Sequence, residues 1–238
     1  MLTSLVRTAG RVVVLLAVLY GVLVGIGLLL TEVFERSALV REEDELNQVL
    51  ADGRTPTMDD VTYLLSGLGN TGAIVGALLV VTVALWLGSK KSLLPVFLVL
   101  AVSSQALVFL LVTLTVRRRR PDVRALDTAP PTSSFPSGHT GAATALFLAS
   151  ALLVAWYVRR RWVKILALVG LVAVPLLVAY GRLYRGMHHP TDIVGAYLNG
   201  ITCVAISASS VLRRGSSWGD RRPDPSPAPV RAGVVRTS

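Results

Sequence analysis

The sequence predicts an all-α integral membrane protein, a six-transmembrane-helix bundle with both termini cytoplasmic. Three observations lead there: a greasy composition, six apolar stretches of membrane-spanning length, and an uneven placement of cations between them. Of 238 residues, 53% are hydrophobic and 16% charged, against about 25% charged in an ordinary soluble domain, and the mean hydropathy is +0.61. So few charges cannot cover a soluble protein of this size. That excludes an ordinary cytosolic enzyme, a disordered chain and a secreted disulfide scaffold. The single cysteine, Cys203, excludes an intramolecular disulfide and any multi-cysteine metal site. It lies in an apolar run and reads as a small buried residue.

A membrane-crossing helix needs roughly 20 mostly apolar residues at about 1.5 Å each. The first such stretch, Val12–Leu30, follows Arg7 and Arg11. It is too long for a signal-peptide core and no A-x-A-like site follows it, so it reads as an uncleaved span. Residues 31–60 form an extracytoplasmic loop with nine acids, including Glu42, Glu43, Asp44 and Glu45. This loop is expected to hold one or two short surface helices with a solvated acidic face. The second span, Leu64–Leu87, carries Gly72 and Gly76, a GxxxG spacing that permits close helix packing. The third, Leu93–Val116, leads into the run Arg117 to Arg120. The remaining spans are Gly138–Val158, Val163–Tyr180 and Thr191–Leu212. Residues 1–214 thus read as one six-span domain. Residues 215–238, rich in Pro, Ser and Arg, read as a disordered basic cytoplasmic tail.

Orientation follows from Lys and Arg. The chain holds 24 of them against 14 Asp and Glu, a formal net charge of +10. Six spans put both termini on one side, with Arg7, Arg11, Lys90, Lys91, Arg159 to Arg161, Lys164 and the six tail arginines. That side holds 14 cations and the other 10, so the first is assigned to the cytoplasm of a plasma membrane protein. Arg117 to Arg120 then lie on the translocated side, against the rule. Something other than topology must keep them there.

Three short segments hold most of the unusual polar residues. They are RRRRP, ending at Arg120-Pro121; SSFPSGHT, with Ser137, Gly138 and His139; and GRLYRGMHHPTD, with Arg182, Arg185, His188, His189 and Asp192. Topology gathers all three at one membrane–water boundary. Arginine forks suit phosphate oxygens. A helix starting at Ser137-Gly138 offers free N–H groups and a positive dipole end to an anion, and glycine lets a ligand approach the backbone. His188 and Asp192 are four apart. If Pro190 opens the last helix, the carboxylate reaches one ring nitrogen of His188, fixes its tautomer and leaves the other nitrogen as a nucleophile. His139 can then protonate a leaving oxygen. The assembly reads as phosphoryl transfer through a phosphohistidine. Each segment alone has a plainer reading: a basic cluster holding lipid headgroups, a helix-end histidine, or a metal pair at His188 and His189. No carboxylate cluster joins that pair, so neither metal nor other cofactor is expected.

In order, Arg120-Pro121, then Pro136-Ser137-Gly138-His139, then Arg182 with His188 and Asp192 resemble the signature of the phosphatidic acid phosphatase type 2 superfamily. The resemblance covers the six spans in layout and about residues 113–192 in motif. It implies a six-helix bundle whose site faces away from the cytoplasm, and metal-free hydrolysis of a lipid phosphate or diphosphate. It implies His188 as nucleophile, His139 as general acid and Asp192 as the group orienting His188. Arg120, Arg182, Ser137 and Gly138 would bind phosphate, and His189 would flank the site. Two positions depart from the pattern. Where the family has a lysine seven residues before Arg120, this chain has Thr113, and where the third motif opens with serine it has Gly181. Arg117, Arg118 or Arg119 is expected to replace the lysine. The partners expected are a lipid phosphate substrate and membrane lipids, with no nucleic acid. Phosphatidate, phosphatidylglycerol phosphate and undecaprenyl diphosphate share the group the motifs read. The competing reading is a non-catalytic lipid-phosphate-binding scaffold, which would not need His139, His188 and Asp192 together. A transporter would need a broken helix pair or a charged midplane site, and the sequence has neither.

Overall fold

The computed structural model describes residues 2–89, 93–129 and 131–212. The expected tail at 215–238 and the cations Lys90 and Lys91 lie outside the described residues. Among the described residues there are eight α-helices and no strand. They are α1 (Leu2–Leu28), α2 (Ala38–Asp52), α3 (Pro56–Gly67), α4 (Thr71–Ser89), α5 (Leu93–Thr115), α6 (Gly138–Tyr157), α7 (Arg161–Tyr184) and α8 (Pro190–Ser207). Five-residue π-helical turns, Leu29–Val33 and Ala208–Leu212, extend α1 and α8. Six helices, α1 and α4 to α8, are long and apolar enough to cross a membrane. The protein is an all-α, six-span integral membrane protein, as its sequence predicts.

The second span starts later than expected. Leu64 belongs to α3, and the chain breaks over Leu68 to Asn70 before α4 begins at Thr71. Two glycines and an asparagine explain the break. Asn70 caps α4 by accepting the Ala73 N–H at 2.8 Å, the usual role of an amide side chain at a helix start. Ser37 and Thr55 cap α2 and α3 in the same way, accepting from the Val40 and Met58 N–H groups.

Helix α6 lies in the middle of the bundle, packed on α5, α7 and α8. Lipid tails are as apolar as leucine, so close packing rather than water exclusion holds such helices together. Glycine makes this possible. A Cβ at Gly200 would lie 2.7 Å from Thr144, and one at Gly141 would lie 2.5 Å from Gln105. Leu94, Phe97, Leu98, Leu146 and Ala149 fill one core. Leu23, Val112, Val116, Phe135 and the buried Cys203 fill another. Val14, Val18, Leu79, Val80 and Trp86 point outward from α1 and α4, as expected of helices facing lipid. Gly76 of the GxxxG pair also faces open space.

The acidic loop corrects its expectation. Helix α2 does carry a solvated face with Glu42, Asp44 and Glu45, but Glu43 and Asn47 are buried, Glu43 with only 4% exposure. A carboxylate so buried needs a cation, and it finds one in the arginine run, as described below.

Candidate active site

The three motif segments meet at one end of the bundle. Helix α7 delivers Arg182 in its last turn and ends in a Schellman motif. The Gly186 N–H bonds the Leu183 carbonyl at 3.0 Å, and the Met187 N–H bonds the Arg182 carbonyl at 3.1 Å. Gly186 takes φ 68°, a left-handed conformation that glycine adopts at little cost. This corner turns the chain so that His188 precedes Pro190, the first residue of α8. Asp192 sits in the first turn of α8, where it accepts the His189 N–H at 2.8 Å and completes a capping box.

His188 is buried. Its Nδ1 lies 2.8 Å from the Ser134 carbonyl oxygen and 3.6 Å from Asp192 Oδ2. A carbonyl can only accept, so Nδ1 carries the proton and Nε2 keeps its lone pair. The sequence leaves open which ring nitrogen is protonated and names Asp192 as the group that orients the ring; here the shorter contact to Nδ1 comes from a backbone carbonyl. Asp192 stands behind because its oxygens are already taken. Oδ1 accepts from Arg118 at 2.6 Å, and Oδ2 accepts from the Ser134 hydroxyl and the His189 N–H. Burial pushes the His188 pKa below its ordinary value. The Asp192 carboxylate opposes this, while the Arg182 and Arg120 charges add to it.

His188 borders a cavity of about 880 Å³. One end is polar, with His139, His188, Arg120, Arg182, Asp127 and Ser66; the flank is apolar, with Ile74 and Val75 of α4 and Val102, Ala106, Phe109 and Leu110 of α5. Among the described residues, Arg120 and Arg182 are the only Lys or Arg that line the cavity. Arg120 donates to the Met187 carbonyl at 2.8 Å. Arg182 donates through one Nη1 to Ser66 Oγ at 2.9 Å and Asp127 Oδ2 at 2.8 Å, while its Nε is buried with no partner. A buried, unpaired guanidinium donor is unfavourable, and an anion in the cavity would satisfy it.

The arginine run divides by position. Its backbone is non-helical, and Arg117 and Arg119 are exposed while Arg118 is 7% exposed and Arg120 half-buried. Arg118 does not face the cavity. Its Nη1 bonds Asp192 and Thr191 Oγ1, and its Nη2 bonds Glu43 Oε2 at 2.7 Å. Both ends of the fork are occupied, so it is a buried ion-pair hub and not a substitute for the missing lysine. Arg117 and Arg119 are not among the cavity-lining residues either. Thr113 is buried in α5, where its hydroxyl bonds the Leu110 carbonyl at 2.9 Å.

The helix start is also used differently from expectation. Ser137 is fully buried and is not a lining residue; its N–H bonds the Asp192 carbonyl at 3.1 Å and its hydroxyl meets Thr140 Oγ1 at 3.1 Å. Gly138 does border the cavity, but a Cβ there would lie 2.8 Å from the Phe109 ring. Close packing by α5 therefore demands the glycine. The Gly138, His139 and Thr140 N–H groups fall in the first turn of α6, with no carbonyl four residues back inside the helix. His189 flanks the site, with Nε2 3.3 Å from Asp44 and Nδ1 3.4 Å from Asp192.

Residues near the site that were not singled out from the sequence as site residues include Glu43, Ser66, Asp127 and Ser134. Asp127 clamps two arginines, taking Nη1 of Arg182 and binding Arg185 through both Nε and Nη2 at 2.7–3.0 Å. Burial alone would raise its pKa, but the Arg185 hydrogen bonds and the two arginine charges hold it below the ordinary carboxylate value. Arg185 is thereby spent on structure. Gly181 has a role of its own. A Cβ there would lie 3.1 Å from the Ser66 nitrogen and 3.2 Å from the Thr62 carbonyl. Its absence lets α3 close on α7 and bring Ser66 to Arg182.

Comparison with known proteins agrees with this layout. Among solved structures, a transmembrane PAP2-type phosphatidylglycerolphosphate phosphatase from Bacillus subtilis superposes with a TM-score of 0.70 at 19% identity, over 86% of this chain and 98% of that one. LpxE from Aquifex aeolicus superposes with a TM-score of 0.56 at 24% identity, over 69% of this chain and 93% of that one. At these identities the likeness is one of fold. No curated protein sequence matches the chain. Residues 92–216, from the start of α5 to beyond α8, match the PAP2 superfamily. That match takes in more than half of the chain and every motif residue gathered at the bundle end, so the chain belongs to the PAP2 superfamily.

Proposed function

We propose that this protein is a membrane lipid phosphatase that hydrolyses a lipid phosphate or diphosphate through a phosphohistidine, without a metal, on the extracytoplasmic face of the plasma membrane. The observation that carries this reading is a single cavity. Its polar end holds two histidines and two arginines, and its flank runs along the apolar residues of α4 and α5. A phosphate headgroup suits the first and an acyl or prenyl chain the second. The name of the Bacillus subtilis protein, a phosphatidylglycerolphosphate phosphatase, supports the substrate class. Both termini are assigned to the cytoplasm by the cation bias, which puts the site outside. Residues 1–214 form the membrane domain of this reading, and 215–238 a cytoplasmic tail.

Arg120, Arg182 and the free N–H groups at the α6 start hold the phosphoryl oxygens. The Nε2 lone pair of His188 attacks phosphorus, forming an N–P bond as the bond to the lipid oxygen breaks. His139 gives its proton to that oxygen. The Nδ1–H bond to Ser134 and the charge of Asp192 stabilise the cationic phosphoimidazole. Water then attacks phosphorus and returns a proton to His139. Phosphate leaves, and His188 regains its lone pair.

The test is phosphate release by purified protein in detergent with a chelator present. The substrates are phosphatidate, phosphatidylglycerol phosphate and undecaprenyl diphosphate. Release from at least one is expected, with a loss on the order of 10³-fold or more in His188→Ala. Binding of these lipids with no turnover would overturn the reading in favour of a scaffold.

A further inference from the structure

The acidic helix α2 lies outside the six spans, yet one of its side chains enters the network behind His188. Glu43 Oε2 accepts from Arg118 at 2.7 Å, and Glu43 Oε1 accepts the Thr191 N–H at 2.6 Å. Arg118 in turn holds both groups that face Nδ1 of His188. Its side chain bonds Asp192 at 2.6 Å, and its carbonyl accepts the Ser134 N–H at 3.0 Å. The Ser134 carbonyl is the acceptor of the His188 bond. Glu43, Arg118 and Asp192 are each at least nine-tenths buried.

We propose that Glu43 is a positioning residue for the nucleophile, acting through Arg118. This inference rests on the phosphatase reading above. Glu43 does two things. It fixes Arg118 from the far side, so that Asp192 and the Ser134 carbonyl keep their places beneath His188. It also shares the arginine's charge. One cation between two carboxylates leaves a net negative charge, and that charge faces the imidazole as it becomes cationic on phosphorylation. Without Glu43, Arg118 would neutralise Asp192 more fully and the cationic intermediate would lose support. The other charged or titratable groups near His188 are Arg120 before α6, Arg182 on α7, His139 on α6 and His189 beside it. None of them touches Glu43. The pairing also accounts for an arginine retained on the side that the cation rule disfavours.

The test compares Glu43→Gln with wild type on the lipid that wild type hydrolyses fastest. Glutamine keeps the size and an oxygen for the Thr191 N–H but removes the charge. We expect kcat to fall about tenfold or more while KM changes less than about twofold, the pattern of lost support in the transition state alone. The acid limb of kcat/KM should move to lower pH, because a carboxylate that favours the imidazolium has gone. Arg118→Lys, a point charge that cannot bridge two carboxylates, should show the same loss in kcat and keeps the test open if Glu43→Gln folds poorly. Glu45→Gln, exposed on the same helix, should turn over as wild type does. Wild-type kcat in both Glu43→Gln and Arg118→Lys, or a rise in KM alone, would overturn the inference while leaving the phosphatase reading standing. A wild type that releases no phosphate from any substrate would overturn that reading, and the inference with it.

Discussion

Arg117, Arg118 and Arg119 look alike in sequence, but their replacement by alanine should have unlike consequences. Arg118 is 7% exposed and paired with two carboxylates, Glu43 at 2.7 Å and Asp192 at 2.6 Å. Arg118→Ala leaves both buried without a cation. Removing one partner of a buried pair costs about 3–5 kcal/mol, most of it the penalty on the stranded charge. For a chain of this size 1 kcal/mol moves the melting temperature by roughly 2–4 °C, so a fall of ~6–20 °C is expected. Arg117 and Arg119 are exposed, and their alanine variants should stay within about 0.5 kcal/mol of wild type. Thermal unfolding of the three variants in one detergent reads this directly. If Arg118→Ala melts with the other two, the ion-pair hub is wrong. If it melts normally but loses inhibition by inorganic phosphate, Arg118 faces the ligand after all.

Two more predictions concern the same cavity. Burial depresses the His188 pKa below its ordinary 6.5, and the nucleophile must be neutral. Activity should therefore be held as pH falls to 6.5 and be lost only as pH passes below it, through the depressed pKa; a kcat/KM profile whose acid limb has its midpoint at or above 6.5 would refute this assignment. Gly181→Ala adds a Cβ 3.1 Å from the Ser66 nitrogen and 3.2 Å from the Thr62 oxygen, both backbone atoms of α3. Overpacking of this kind costs about 1–3 kcal/mol, and by displacing Ser66 it should also raise KM; unchanged melting and KM would show that α3 does not press on α7.

The spans were legible because a membrane helix announces itself by apolar length alone. The site was legible because all three histidines sit at helix ends, and topology carries helix ends of the same parity to one face. The α3–α4 break was written in Gly67, Gly69 and Asn70, but apolar residues on both sides hid it. The fate of the arginine run was not legible. Spacing in a non-helical segment shows that neighbours face differently, but which of them turns inward depends on Glu43, 75 residues earlier. The Ser134 carbonyl is a backbone group, and no side chain marks it as the partner of His188. Ser137 and Gly138 carry the motif, yet their surroundings are Asp192, Thr140 and Phe109, tertiary neighbours that no local pattern names.

In the proposed reaction His188 takes the phosphoryl group on Nε2. The most direct measurement is a rapid-quench experiment with a lipid substrate labelled in its phosphate, followed by mapping of the labelled peptide. We expect an acid-labile, alkali-stable phosphoramidate on the peptide containing His188, absent from His188→Asn. A substrate hydrolysed with no labelled protein at any time, or a label on another residue, would contradict it.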